Sequence, residues 1–251
     1  MVGSSIRNSR DTTSTVVRAT GLLRYFTPER TILSLPQIQT MSGFSRTTTF
    51  RYLSDLVEAG LLTHAAGGYS LAETALSWGR TMDPWHRVRD GVMPTLVSLH
   101  RRTGLTVNLA MPTGHTLILV EKITPAPTAV PHTHVGSPLA AHATALGKAL
   151  LTLMPTDQRE EALSESLRND RVRTAVSPRQ LRRELTEIGQ RQWAREVDES
   201  RTGYWCAAVP IRFNDGNIAA ISVAASHDRP LDIAASIGLR RAASSLPPLL
   251  C

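Results

Sequence analysis

Gly43-Phe44-Ser45-Arg46-Thr47-Thr48-Thr49-Phe50-Arg51-Tyr52-Leu53, running on through Asp55-Leu56-Val57-Glu58-Ala59-Gly60-Leu61-Leu62, decides the reading of the chain. Positions 49, 52, 53, 56 and 57 recur at helical spacing and carry Thr, Tyr, Leu, Leu and Val, one largely apolar stripe. The opposite face opens with Arg46, Thr47, Thr48 and Arg51, short hydroxyls between two guanidiniums. Such a face fits a major groove, where arginine pairs with guanine edges and threonine reaches phosphates or thymine methyls. Gly43 permits a tight turn into the helix and Ser45 is placed to cap it.

Working outward, Thr15 to Phe26 carries Val16, Val17, Leu22, Leu23 and Phe26 and reads as a first helix. Pro36 to Met41 reads as a short second one, since proline is tolerated where its missing N–H has no partner. The third helix runs from Arg46 to Ala59 and stops at Gly60. Leu61 to His64 and Tyr69 to Leu71 then read as short strands around the Ala65-Ala66-Gly67-Gly68 turn. Helices followed by that hairpin make a winged helix-turn-helix.

At 251 residues the chain is long for one core, so two domains are expected. No apolar run approaches the roughly 18 residues that a membrane span needs. Residues 1–13 hold Arg7 and Arg10 without the apolar core of a secretory signal. The two cysteines, Cys206 and Cys251, are far apart, which suits a reduced, cytoplasmic protein better than a disulfide scaffold. The net charge of +7 suits a polyanionic partner, yet residues 1–83 hold eight arginines against six acids. Pattern, not charge, therefore locates the DNA reader. Much of the excess lies from Arg168 to Arg195, a solvated helical surface or a subunit contact.

Further along, Ala72 to Arg80 continues as helix, and Asp83-Pro84 reads as a break in a linker. Val88, Val92, Leu96 and Leu99 define a helix ending at Gly104, with Pro94 expected to bend it. The period then changes. Leu105 to Met111 and Thr116 to Ile123 read as strands, and Thr124 to Pro138 as a loop. A helix from Thr144 to Met154 and two Arg/Glu-rich helices, near Asp157–Leu167 and Pro178–Gln192, follow. Three strands, Trp193–Val197, Trp205–Arg212 and Asn217–Ala225, precede a last helix from Leu231 to Leu246. Asp215-Gly216 is a hairpin signal. The second domain is α+β with a mainly antiparallel sheet.

Four stretches now carry a resemblance. They are Gly43 to Thr48 with Arg51 and Leu53; Glu58 to Leu62 leading to Gly68-Tyr69-Ser70-Leu71; His142-Ala143-Thr144-Ala145-Leu146-Gly147-Lys148-Ala149-Leu150-Leu151; and Gly203 to Ile211 leading to Ala220-Ile221-Ser222-Val223. In order and spacing the chain resembles the IclR family of bacterial transcription regulators over residues 14–246. The resemblance implies a winged helix-turn-helix over residues 14–74, a linker helix over 75–88 and a GAF-like effector-binding domain over 89–251. It implies a homodimer or tetramer on a double-stranded, palindromic operator, modulated by a small organic acid or aromatic metabolite, with no cofactor and no membrane partner. Candidate DNA-contacting residues are Ser45, Arg46, Thr47, Thr48, Phe50 and Arg51. Candidate effector residues carried over from the family are Thr144, Ala145, Leu146, Glu196, Cys206 and Ser222, with backbone N–H groups of Ala145 and Leu146 favouring a carboxylate. The chain departs from the family at Gln39, at Ala224, where a second serine is usual, and at Glu196, where aspartate is usual.

Sharper chemistries compete. His132, His134 and His142 invite zinc, but no cysteine or carboxylate completes a local spacing motif. Gly147-Lys148 fails as a phosphate loop, because His142 stands where glycine is required and Ala149 replaces Ser/Thr. Cys206 with His142 as base is an incomplete catalytic set. The expectation is a regulator and not an enzyme. A small-molecule enzyme or a ligand-independent DNA-bound scaffold are the alternatives.

Overall fold

Ser14 accepts from the Val16 N–H and opens α1 (Thr15–Gly21) in the computed structural model, which describes residues 14–27, 29–79, 83–125, 133–169, 177–229 and 233–244. The expected single first helix is two pieces. After Gly21 the chain tightens into a 3-10 turn, Leu22–Tyr25, and leaves as extended backbone at Phe26. Tightening at a helix end is the usual way to satisfy last-turn carbonyls, and here it delivers Leu22 and Phe26 to the core.

In α2 (Leu35–Ser42) the Gln37 side chain accepts from the Ser34 N–H at 2.8 Å, and Gly43 ends the helix in the left-handed region at φ 70°. That turn leads into α3 (Arg46–Glu58), whose Thr49, Tyr52, Leu53 and Leu56 are buried, the stripe read from the sequence. They pack with Leu22, Ile38 and Leu62 into the core of the first unit. Behind α3 stand β1 (Leu62–Ala65) and β2 (Gly68–Leu71), paired antiparallel, then α4 (Thr74–Gly79). Leu33 and Tyr69 exchange two backbone hydrogen bonds of 2.9 Å, which ties the wing to the strand-like entry of α2. A Cβ on Gly68 would stand 2.6 Å from the Leu33 carbonyl oxygen, so only glycine admits that approach.

The chain divides into two units between Met82 and Asp83. Asp83-Pro84, read above as a break, forms the first turn of α5 (Asp83–Thr103), which runs on across residue 88 and through Pro94. Gly104 ends it at φ 62°, and the Arg229 guanidinium donates to the Thr103 and Gly104 carbonyls at 3.1 and 2.6 Å.

β3 (Thr106–Thr113), β4 (Thr116–Ile123), β5 (Pro138–Leu139), β6 (Ala194–Val197), β7 (Tyr204–Arg212) and β8 (Ile218–Ser226) form one antiparallel sheet ordered β5-β4-β3-β8-β7-β6. The two-residue β5 lies at the end of what the sequence reads as loop, too short to show a period. On one face, Val107, Leu109, Trp205, Val209, Ile221 and Val223 pack against α5 and α9 (Ile233–Ser244). The other face carries Asn108, Ala110, Cys206, Ala208, Ala220 and Ser222 on its three central strands, small or polar side chains, with the larger Leu117 and Leu119 on β4. Small side chains let α6 (Ala145–Leu151) lie close to the sheet with all seven residues buried. α7 (Thr156–Asn169) and α8 (Pro178–Arg191) complete that layer.

Candidate functional site

Two sites arise, one in each unit. In the first, Ser45 caps α3: its Oγ accepts from the Thr48 N–H at 3.2 Å and donates to Thr48 Oγ1 at 2.9 Å. The hydroxyls of Ser45 and Thr48 therefore hold the helix start, while Arg46, Thr47, Phe50 and Arg51 project to solvent. The first turn of α3 has no acidic residue, so its dipole and Arg46 together present an uncompensated positive end. The Arg51 guanidinium lies over the Tyr52 ring, 5.4 Å from its centroid, which orients it along the helix surface. Arg46, Thr47 and Phe50 form one wall of a cleft. The wing forms the other, with His64 stacked on Tyr69 at 4.4 Å and the Ala65–Gly68 turn at its rim.

The second site gathers residues from distant parts of the chain. Thr144 caps α6 by accepting from the Gly147 N–H at 3.0 Å, and it donates to the Ala140 carbonyl at 2.8 Å. The Ala145 N–H donates to Glu196 Oε2 at 3.3 Å, so the chain's own carboxylate reaches the start of α6. Glu196 Oε1 accepts from the Ser200 N–H at 2.8 Å and from the Ser200 hydroxyl. Burial nevertheless dominates, and it raises the Glu196 pKa above the ordinary 4.5. Pairing aligns Glu196 with Cys206, Cys206 with Ala224, and Ala224 with Thr106, one row across the sheet. Ser222 stands in the next row, opposite Ala208 and Asn108, and the Asn108 amide donates to its hydroxyl at 3.0 Å. Burial, reinforced by the Glu196 charge and offset in part by Ser222, pushes the Cys206 thiol up to about 12. Leu146 is buried in the helix–sheet core.

Several residues of this site escaped the sequence reading. Asn108 is one; its signal was the alternation of Thr106 and Asn108 with the apolar Val107 and Leu109. Lys148 is another. Its side chain is completely buried, and its ammonium donates to Glu184 at 2.8 Å and to both Glu199 oxygens at 2.7 Å. The Lys148 of the Gly147-Lys148 pair thus clamps α6 to α8 and to the β6–β7 loop. A Cβ on Gly147 would meet the Ala141 carbonyl oxygen at 2.5 Å, which explains the glycine. Burial raises the Glu199 pKa despite the Lys148 charge beside it. His142 Nδ1 lies 2.8 Å from Ser166 Oγ, whose oxygen also accepts from the Ala141 N–H at 2.9 Å. His132 lies outside the described residues, and among the described residues no three metal-ligating side chains cluster. No helix among the described residues is long and apolar enough to cross a membrane.

These two sites coincide with two matches. Residues 15–66 match the IclR helix-turn-helix domain, and residues 85–236 match the bacterial transcriptional regulator IclR C-terminal domain. The HTH-type transcriptional regulator XynR of Escherichia coli strain K12 is 28% identical over 213 residues, 83% of this chain and 84% of its own. The HTH-type regulator KipR of Bacillus subtilis strain 168 is 27% identical over 213 residues, 84% of this chain and 85% of its own. A solved structure of an IclR homologue from Microbacterium hydrocarbonoxydans, complexed with 4-hydroxybenzoate, has the same fold at a TM-score of 0.76. It is 21% identical and spans 93% of this chain and 97% of that one. With both domains matched in order, the chain belongs to the IclR family of bacterial transcriptional regulators, which are not enzymes, and joins a DNA-binding helix-turn-helix to the family's effector domain.

Proposed function

We propose that this regulator reads a palindromic operator as a homodimer or tetramer in the cytoplasm and releases or tightens its grip when a small aromatic or organic acid binds the second domain. The observation that carries the DNA half is the acid-free, solvent-facing start of α3 beside the wing. Ser45 and Thr48 hold the helix start and offer phosphate contacts. Arg46, Thr47, Phe50 and Arg51 face the groove, and the Ala65–Gly68 turn approaches the flanking backbone. Two such helices in a dimer enter successive major grooves, with half-sites about 34 Å apart or a multiple of it. Residues 75–88 connect the reading unit to the sensor.

The effector site is assigned to Thr144, Ala145, Leu146, Glu196, Cys206 and Ser222, with Asn108 beside Ser222. Glu196 already occupies the Ala145 N–H, so a carboxylate engages that amide only by displacing it. A phenolic or alcoholic hydroxyl donates to Glu196 without displacement. A ligand with a hydroxyl at one end and a carboxylate at the other, the chemistry of the 4-hydroxybenzoate held by the relative, suits this polarity. Coupling of about 1–3 kcal/mol would change operator affinity roughly 5- to 150-fold.

The test is selection of a duplex from a randomised pool by the full chain, followed by anisotropy titration with and without a panel of hydroxybenzoates and small organic acids. Enrichment of a palindrome whose affinity one panel member shifts is the expected result. Failure to enrich any sequence overturns the DNA reading. An enriched palindrome indifferent to the whole panel overturns the ligand class.

A further inference from the structure

Phe50 stands out on α3. It is 55% exposed, whereas Tyr52 on the same helix is 3% exposed and packs edge-on against Phe44 at 5.6 Å. An aromatic ring left that far in water contributes little to the core of the unit. It sits one helical turn beyond Arg46, and the two line the cleft opposite the wing together with Thr47. Its neighbours on the exposed face, Arg46 and Arg51, are donors only.

We propose that Phe50 is a specificity determinant of the DNA reader, packing its ring against the 5-methyl group of a thymine in each half-site. The inference rests on the DNA-reading function above. In the major groove every base pair offers hydrogen-bond donors and acceptors, and one base alone offers an apolar group, the thymine methyl. A ring with no polar atom discriminates among base edges only through that group. The residues of a recognition helix that reach base edges are those of its N-terminal part, and Phe50 is the fifth residue of α3. Contact with a methyl also removes ring surface from water, which an interaction with phosphate would not do.

The duplex enriched from the randomised pool by the wild-type full chain serves as probe. Each of its thymines is replaced in turn by deoxyuracil, which lacks the 5-methyl and nothing else. Wild-type affinity should fall about fourfold at one position per half-site, the worth of one buried methyl. The Phe50→Ala chain, checked for unchanged far-ultraviolet dichroism, should bind more weakly and be indifferent to deoxyuracil at that position. No enrichment from the pool refutes the DNA reading itself, a different failure. With a duplex in hand, the proposal is overturned if wild-type binding ignores deoxyuracil everywhere, or if Phe50→Ala remains as sensitive as wild type. Phe50-dependent bending of the duplex without methyl sensitivity would instead mean a wedge between base steps, and would overturn it too.

Discussion

Glu196 and Ala145 meet across 51 residues of sequence: a carboxylate from an edge strand accepts the backbone N–H at the start of a buried helix, at 3.3 Å. The sheet therefore supplies a carboxyl oxygen that accepts at the start of α6, in the place where the sequence reading put an external carboxylate.

That contact has a pH signature. Burial raises the folded-state pKa of Glu196 above the 4.5 of the unfolded chain. The folded state then holds the proton more tightly, so stability from this group is complete below 4.5 and is lost as pH rises through the folded value. Urea midpoints of the wild-type chain should decline over that interval, and Glu196→Gln should decline less. Glu199 shifts in the same direction, so the slope is reduced and not abolished. Parallel pH profiles for the two proteins would contradict this account.

Lys148→Ala removes a fully buried ammonium and leaves Glu184 and Glu199 facing each other without it. Breaking a buried pair from one side costs about 3–5 kcal/mol, whereas neutralising all partners costs far less. The triple variant Lys148→Met, Glu184→Gln, Glu199→Gln should therefore recover most of the loss in urea unfolding. A triple variant no more stable than Lys148→Ala would show that the charges are not what holds the clamp.

Two glycine substitutions should move stability in opposite directions. Gly147→Ala drives a methyl onto the Ala141 carbonyl oxygen at 2.5 Å and its Cα at 2.6 Å, and should cost about 2–3 kcal/mol. Gly189→Ala sits within α8 with nothing within 4 Å of the new atom. It should add about 0.5–1 kcal/mol by restricting the unfolded chain. Thermal unfolding of the two variants beside wild type separates these outcomes.

Cys206 should resist iodoacetamide at pH 8. With its pKa raised to about 12, almost none of it is thiolate there. Mass spectrometry of the peptide containing Cys206 should show it unmodified in the native protein and carbamidomethylated in urea. Rapid native labelling would be inconsistent with a half-buried thiol held beside the buried Glu196 carboxyl.

The first unit was legible because its signals are local. A stripe at helical spacing, a capping serine and a glycine turn all lie within a few residues of the structure they dictate, and α3 begins at Arg46 as read. The second unit was legible by element but not by assembly. Nothing local tells that β8 inserts between β3 and β7, or that Lys148 finds Glu184 and Glu199 from 36 and 51 residues away. Asn108 was passed over because its partner, Ser222, is 114 residues distant. Ser45, read as the cap of α3, accepts from the Thr48 N–H as read, whereas its further bond to the Thr48 hydroxyl was not legible. The position of Glu196 in the candidate site was legible only through the family resemblance; its hold on Ala145 was not.

The paired backbone hydrogen bonds between Leu33 and Tyr69, with Gly68 pressed against the Leu33 carbonyl, leave the wing no joint of its own. Helix and hairpin behave as a cast die whose two edges strike at one fixed pitch. On the proposed function, a ligand held by the second domain would then act on helix and wing together, not on one edge alone. Loosening the seam, for instance with a bulkier residue at Gly68, should blur the spacing between what the helix reads and what the wing touches before it weakens either contact by itself.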